Sequence, residues 1–90
     1  MAGRPSYDVG FIGTGNMATA LAKGFLAAQL VEVPRLCGSD VSEDRRVAFR
    51  EATGAAVFED NTELVRSSRL VVLSVKPQVV DEVLQQVGPL

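Results

Sequence analysis

The chain has 90 residues, of which 47% are hydrophobic and 22% are charged, and its formal net charge is −2. This length and composition are typical of one small globular domain and exclude an intrinsically disordered chain. The charge balance offers no basic surface for nucleic acid or acidic lipid, and the absence of histidine excludes a histidine-based triad or metal site.

The sequence contains no segment typical of export or membrane insertion. Residues Met1–Ser6 lack the apolar stretch of a signal peptide, and no apolar run approaches the roughly 18 residues of a membrane span. Cys37 is the only cysteine, so an internal disulfide is excluded. We therefore expect a cytoplasmic protein without a membrane or nucleic-acid partner.

The first predicted element is a buried strand over Tyr7–Gly13, which leads into the pattern Gly-x-Gly-x-x-Ala at residues 13–18. In such a strand–turn–helix unit, Gly13 allows a tight turn and Gly15 lets a ligand approach the backbone. Ala18 replaces the usual third glycine and still allows the helix to pack closely on the strand. The free N–H groups of the helix start can hold a pyrophosphate, so the motif predicts a nicotinamide or flavin dinucleotide site. The alternative is a glycine turn that only joins a strand to a helix.

A helix and a short second strand follow. The helix is predicted over Asn16–Gln29, where apolar residues recur at helical spacing, and the pair Val33-Pro34 breaks that pattern. The second strand is predicted over Arg35–Ser39. Asp40 comes directly after it, near the expected spacing of roughly 20 residues for an acid that accepts hydrogen bonds from ribose hydroxyls.

The next elements are a capped helix and a third strand. Ser42 is a suitable N-cap for a helix that ends near Thr53, because Gly54 suits the left-handed position after a helix. Residues Ala55–Phe58 form the predicted third strand. Asn61 is predicted to cap the brief helix that comes next.

The last predicted elements are the clearest strand of the chain and a final helix. Residues Arg69–Val75 form a continuous apolar run of the kind found in parallel strands. Pro77 suits the first turn of a helix. One apolar stripe runs along that helix and comprises Val79, Val80, Val83, Leu84 and Val87.

The alternation of strands and helices predicts an α/β fold, a Rossmann-like parallel sheet with helices on both faces and about four strands. The expected spatial order is third, second, first, fourth strand, with a cofactor at the carboxyl ends of the first and fourth. A doubly wound domain normally continues beyond this point, so residues 1–90 are interpreted as an incomplete N-terminal NAD(P)-binding domain. Otherwise its fourth strand would form an exposed apolar edge, and the alternative to an incomplete domain is that a partner covers that edge.

Two segments of the chain together carry a family resemblance. Residues Gly10–Ala18 with Ala20–Phe25 form the first, and Leu73–Gln78, which contains Val-Lys-Pro, forms the second. The first resembles the start of pyrroline-5-carboxylate reductases, and the second resembles the Val-Lys-Pro segment of that family. The resemblance implies an oxidoreductase of proline biosynthesis, which reduces the small molecule 1-pyrroline-5-carboxylate to L-proline with NADPH or NADH. It also implies a later helical domain, absent from this chain, that builds the substrate pocket and makes the protein a homo-oligomer. No catalytic residue is therefore assigned, and the chain alone is predicted to be inactive.

The same resemblance implies a set of cofactor contacts. They are Ile12, Gly13, Thr14, Gly15, Asn16 and Met17 for the pyrophosphate, Ser39 and Asp40 for the adenine-side ribose, Asn61 for the cofactor, and Ser74, Val75, Lys76 and Pro77 for the nicotinamide half. Purely structural roles remain open for four of them. The alternative for Asn16, Asn61 and Pro77 is that each starts a helix and does not contact the cofactor. The alternative for Lys76 is a solvated lysine without a ligand.

The residues near the end of the second strand point in opposite directions on the preference between NADPH and NADH. The Asp40 carboxylate favours NADH, because it can accept hydrogen bonds from ribose hydroxyls and would repel a 2′-phosphate. Arg45 or Arg46 could pair with that phosphate, so the sequence favours use of both cofactors. Replacing Asp40 with serine is then expected to raise the preference for NADPH.

Two other classes of function remain open. Reductases of the hydroxyacid dehydrogenase type and deazaflavin-dependent NADP reductases share the opening glycine motif. A non-catalytic dinucleotide-binding module is the other alternative, because the fold by itself does not determine chemistry.

Overall fold

The computed structural model describes residues 6–88. The segment Met1–Pro5, part of the N-terminal stretch discussed above as a possible signal peptide, lies outside them, as do residues 89 and 90. The described chain alternates between strands and helices. In chain order its elements are β1 (Tyr7–Ile12), α1 (Asn16–Ala27), a short 3-10 helix (Val33–Arg35), β2 (Leu36–Ser39), α2 (Glu43–Thr53), β3 (Ala56–Phe58), α3 (Asn61–Ser67), β4 (Ser68–Leu73) and α4 (Pro77–Val87).

The four strands form one parallel sheet in the order β3-β2-β1-β4, which confirms the predicted order. Ile12 at the end of β1 pairs with Ser39 of β2 on one side and with Leu73 of β4 on the other. The carboxyl ends of the three strands are therefore level, and the loops that follow them meet at one edge of the sheet.

Helices cover both faces of the sheet, as the sequence predicts. On one face, Phe11 of β1 packs with Ala18 and Ala22 of α1 and Phe49 of α2. On the other face, apolar side chains of the sheet pack against Leu64 of α3 and a valine of α4. The chain thus passes to opposite faces after β1 and after β4, and this opens a crevice between their carboxyl ends. The fold is a Rossmann-like α/β fold.

Local capping explains where the helices begin and end. The Ser42 side chain accepts a hydrogen bond from the Arg45 N–H, and Gly54 has a left-handed φ of 79°, so both predicted ends of α2 are confirmed. The predicted cap of α3 is wrong. Asp60 takes that position and accepts from the Thr62 N–H at 2.9 Å, because its carboxylate precedes Asn61 by one residue and reaches the same free N–H groups.

The ends of the sheet differ in character. At the amino end, Arg35 Nη2 donates to Asp8 Oδ1 at 2.9 Å, and this hydrogen bond holds the pKa of the Asp8 carboxyl below its ordinary value. Along the side, β4 is one of the two edge strands of the described sheet, and its Leu70 is 55% exposed, as the sequence predicts for an apolar edge. Within residues 6–88, no helix has the length and apolar character needed to cross a bilayer.

Candidate functional site

The glycine loop turns directly over the end of β4. Gly13 has a φ of +94°, and its N–H donates to the Ser39 carbonyl at 2.8 Å. A Cβ on Gly13 would lie only 2.7 Å from the Ser74 carbonyl oxygen and 2.9 Å from Val75 Cγ1. Both the backbone conformation and the close packing require glycine here, as predicted for the tight turn.

Gly15 lies in a different environment, although it is only two residues away. Its φ is −77°, and apart from its two chain neighbours no residue places an atom within 4 Å of the position that a Cβ would occupy. Folding therefore does not require glycine at this position. The space beside it is open to an external group, which a side chain would fill.

The N-terminus of α1 opens into this space. No side chain caps it, and its first turn contains no acidic residue. The first N–H groups of a helix have no acceptor within the helix, so those at Gly15, Asn16 and Met17 are available to a ligand. Together with the helix dipole, such a helix end favours an anion.

Asp40 connects the glycine loop to the start of α2. Its Oδ2 accepts from the Thr14 N–H at 3.0 Å and from the Thr14 hydroxyl at 3.3 Å. Its Oδ1 accepts from the Ser42 N–H at 2.9 Å. Arg45 Nη1 lies 3.9 Å from Oδ2, and Arg46 Nη1 donates to the Asp40 carbonyl at 2.7 Å. The carboxylate is therefore held by the protein itself.

A second polar chain runs behind the glycine loop. The Ser39 hydroxyl donates to Asn61 Oδ1 at 2.7 Å, and Asn61 Nδ2 donates to Gln86 Oε1 at 2.9 Å. Because Asp60 caps α3, the Asn61 side chain is free for these contacts. This series of hydrogen bonds links the end of β2 to α3 and α4. It therefore holds Ser39 and Asn61, two of the predicted site residues, in place at this edge of the sheet.

The segment after β4 closes the other side of the crevice. The Ser74 N–H donates to the Ile12 carbonyl at 2.8 Å and extends the sheet by one hydrogen bond. The Ser74 hydroxyl oxygen is buried and has no hydrogen-bond partner. Buried polar atoms nearly always have a partner, so this oxygen indicates a ligand or water at that position. Pro77 then starts α4, with Lys76 exposed before it.

The loops enclose one cavity of about 590 Å³ at this edge of the sheet. Its size is within the range of small-molecule and cofactor sites. Every predicted site residue except Pro77 lines it: Ile12, Gly13, Thr14, Gly15, Asn16, Met17, Ser39, Asp40, Asn61, Ser74, Val75 and Lys76. The predicted site residues did not include six others that also line it, namely Thr19, Val41, Arg45, Ala48, Val79 and Val83.

The six additional residues carry different sequence signals. Val79 and Val83 belong to the predicted apolar stripe of α4, but that pattern does not distinguish a core position from a cavity wall. Arg45 is predicted from the sequence only as one of two possible partners for a 2′-phosphate. Thr19 lies one helical turn after Gly15, so helical spacing from the glycine motif could have included it.

A family model described as NADP oxidoreductase coenzyme F420-dependent matches residues 8–90 of the chain. The chain belongs to this family. The match includes the whole glycine loop and the loop after β4, so the cavity is formed by residues that the NADP oxidoreductase family model covers.

Curated relatives of the chain have a more specific name than the family model. The chain is 41% identical over 85 residues to a pyrroline-5-carboxylate reductase of Pisum sativum, covering 94% of this chain and 31% of the relative. It is 35% identical over 88 residues to pyrroline-5-carboxylate reductase 3 of Macaca fascicularis, covering 98% of this chain and 32% of the relative. The chain thus spans about a third of the length of these relatives.

Two solved structures share the fold. A pyrroline-5-carboxylate reductase from Coxiella burnetii superposes with a TM-score of 0.84 at 30% identity, over 93% of this chain and 31% of that one. The pyrroline carboxylate reductase of Plasmodium falciparum, solved with NADP bound, gives a TM-score of 0.77 at 29% identity, over 97% of this chain and 30% of that one. Both similarities confirm the Rossmann-like assignment.

Proposed function

We propose that this chain is the cofactor-binding part of a pyrroline-5-carboxylate reductase and binds NADPH or NADH in the cavity at the carboxyl edge of its sheet. One observation carries the proposal. The uncapped N-terminus of α1 opens into that cavity beside Gly15, where no protein atom approaches the position of a Cβ. The names of the relatives and the NADP bound to the Plasmodium falciparum enzyme support the same function.

The residues present fit a dinucleotide. The N–H groups at the start of α1 would hold the pyrophosphate, because they lack acceptors within the helix and face open space. The Ser74 hydroxyl, which is buried without a partner, would gain one. Ser39 and Asp40 lie at the end of β2, where the adenine-side ribose binds in this fold, and Arg45 lines the same cavity from the first turn of α2.

In the proposed reaction, the nicotinamide ring supplies a hydride to the imine carbon of the substrate. The residues of this chain bind and orient the dinucleotide. The loop of residues 74–77 would lie beside the nicotinamide half, with Val75 and Lys76 on the cavity wall. No residue of this chain is assigned to catalysis, so we expect the isolated chain to bind the cofactor without turnover.

The remaining features of the proposed enzyme depend on residues outside this chain. Pyrroline-5-carboxylate would bind in a helical domain like that of the family, and that domain would also make the protein a homo-oligomer. A cytoplasmic location is part of the proposal, and the buried, reduced Cys37 is compatible with it.

Titration of the chain with NADPH and with NADH, followed by backbone amide NMR, tests cofactor binding. We expect saturable shifts at residues 13–18 and 74–76 for at least one cofactor. Adenosine at the same concentration is a control that lacks the pyrophosphate, and it should leave the amides of residues 15–17 unshifted. A folded sample that shows no shifts with either dinucleotide would contradict the proposal.

The proposed substrate needs a separate test. We would measure proline formation from pyrroline-5-carboxylate by the complete gene product, with NADPH and with NADH. Formation of proline would support the proposal. If the gene product bound NADPH but did not reduce the imine, the identification of the protein as a pyrroline-5-carboxylate reductase would lose its main support.

A second candidate is a deazaflavin-dependent NADP reductase, which the description of the matching family model favours. The two candidates differ in the partner that exchanges a hydride with the nicotinamide, a cyclic imine in one and a deazaflavin in the other. Oxidation of NADPH by the complete gene product with each partner in turn would distinguish them.

A further inference from the structure

The side chain of Asp40 is almost wholly buried, although it follows the strand end where ribose hydroxyls are expected. It is only 6% exposed. Two of its hydrogen bonds come from Thr14, which lies 26 residues earlier in the glycine loop, and the third comes from the Ser42 N–H at the start of α2. The carboxylate thus ties together two loops that flank the cavity.

The acceptor capacity of this carboxylate is largely used. An ionised carboxylate accepts about four hydrogen bonds, and three donors already contact it at 2.9–3.3 Å. Hydrogen bonds to a buried charge are strong, and a buried charge that loses its donors is costly. If ribose hydroxyls replaced Thr14 as hydrogen-bond donors to Asp40, little free energy would therefore be gained, and the Thr14 N–H would lose its acceptor.

The two neighbouring arginines are not equivalent. Arg46 donates to the Asp40 carbonyl at 2.7 Å, so the backbone of the β2–α2 turn holds it. The Arg45 side chain is 61% exposed, lines the cavity and lies 3.9 Å from Asp40 Oδ2, a distance beyond a direct hydrogen bond. Arg45 is thus the cation at this end of the cavity that is free to turn toward an added phosphate.

We propose that Asp40 is a positioning residue, which holds Thr14 so that the N–H groups of the α1 start face the pyrophosphate, and that Arg45 sets the preference between NADPH and NADH. The inference rests on the proposed binding of a dinucleotide. It replaces the sequence-based expectation that the Asp40 carboxylate accepts ribose hydroxyls and disfavours the 2′-phosphate.

The first test compares Asp40→Ala with Asp40→Asn and needs no cofactor. The Thr14 amide is expected to exchange its proton at least about tenfold faster in Asp40→Ala, because it loses its acceptor. Asp40→Asn keeps one oxygen, so it should restore most of the protection and remain folded. Glu43→Gln, an equal change of charge at an exposed position in the same turn, is the control. Unchanged Thr14 exchange in Asp40→Ala would overturn the positioning role.

The second test measures dissociation constants of the same variants for both cofactors. Asp40→Ala is expected to weaken NADPH and NADH alike, on the order of tenfold, with partial recovery in Asp40→Asn. A selective loss of NADH affinity, with NADPH unchanged or improved, would mean that Asp40 is a ribose ligand after all. If the wild-type chain bound neither cofactor, the proposed function would fail, while the exchange of the Thr14 amide would still decide the positioning role.

Arg45→Gln completes the set. We expect it to weaken NADPH by about tenfold and to leave NADH within about twofold, because only NADPH carries the phosphate that the guanidinium would pair with. Arg46→Gln is the matched control at the next position. An equal effect of Arg45→Gln on the two cofactors would overturn its role in specificity.

Discussion

Helices α1 and α2 begin at the same edge of the sheet, each after a parallel strand, yet only the N-terminus of α2 is capped by a side chain. The α2 start is closed by the Ser42 side chain and carries Glu43 and Asp44 in its first turn. The α1 start has neither a capping side chain nor an acidic residue. A cap satisfies N–H groups that an anion would otherwise bind. The start of α1 is therefore the helix end whose N–H groups are available to a ligand.

The comparison also separates two uses of glycine. Gly13 is required by the chain itself, because of its φ of +94° and its contact with the Ser74 carbonyl. Gly15 meets no such constraint and matters only if a ligand occupies the space beside it. The same motif therefore contains one glycine that the turn requires and one beside open space, and substitutions can test them separately.

The largest expected effect is that of Gly13→Ala. Left-handed strain and the clash with Ser74 together are expected to lower the free energy of unfolding by about 3 kcal/mol. Gly15→Ala is the comparison and should lower it less, by about 1 kcal/mol, because alanine is a poorer N-cap than glycine. Urea unfolding of both variants measures the difference. Equal stabilities would mean that the turn relaxes around a Cβ.

Gly15→Asp would make the start of α1 resemble that of α2. The new carboxylate would cap the helix and repel a pyrophosphate, so we expect unchanged or higher stability and a loss of dinucleotide affinity of about 100-fold. Gly24→Asp places the same charge on an exposed position of the same helix and should leave affinity within about twofold. Both are measured by titration with NADPH. Undiminished binding by Gly15→Asp would place the pyrophosphate elsewhere.

Ser42→Ala opens the start of α2. Loss of the cap is expected to cost about 1 kcal/mol in the free energy of unfolding. Cofactor affinity should change little, because the Ser42 N–H that contacts Asp40 belongs to the backbone and remains. Chemical denaturation and titration of the same sample check both expectations. A large loss of affinity with a small loss of stability would show that the α2 cap also shapes the cavity.

The smallest effect is expected at the opposite end of the sheet. Because its folded-state pKa is lowered by Arg35, the Asp8 carboxyl stabilises the fold above its ordinary pKa, and this contribution is lost as the pH falls through the folded-state value. Asp8→Asn should therefore flatten the loss of stability in acid and leave cofactor affinity at neutral pH unchanged. Unfolding measured between about pH 2 and 6 tests this, and identical acid profiles for both proteins would contradict it.

Local patterns were sufficient to predict much of this molecule. The cap at Ser42, the glycine end of α2 and the order of the strands follow from residue types and alternation. Asn61 shows the limit of local patterns, because it and Asp60 are both good caps and only the geometry of the turn selects between them. The contact of Asp40 with Thr14 was not predictable, since nothing in a local pattern links residues 26 apart.

The sequence pattern also did not predict which residues α1 buries. The apolar residues Met17 and Leu21 have helical spacing, but they are 60% and 41% exposed. The helix instead buries Ala18 and Ala22, because small side chains let it lie close to β1 and leave room for Phe11. The end of β4 was also predicted two residues too late, since Ser74 and Val75 leave the strand to cross over Gly13.

The lone thiol of the chain reports on the whole sheet. Cys37 is fully buried in β2 with its sulfur 3.4 Å from the Ser68 hydroxyl oxygen, and burial raises the pKa of the thiol above its ordinary value. A thiolate-directed reagent therefore reacts with Cys37 only when the sheet opens locally and exposes the thiol. The rate at which such a reagent labels Cys37 measures how often this small sheet opens, and the slowing of that rate by a dinucleotide would give the energy of binding without any signal from the cofactor.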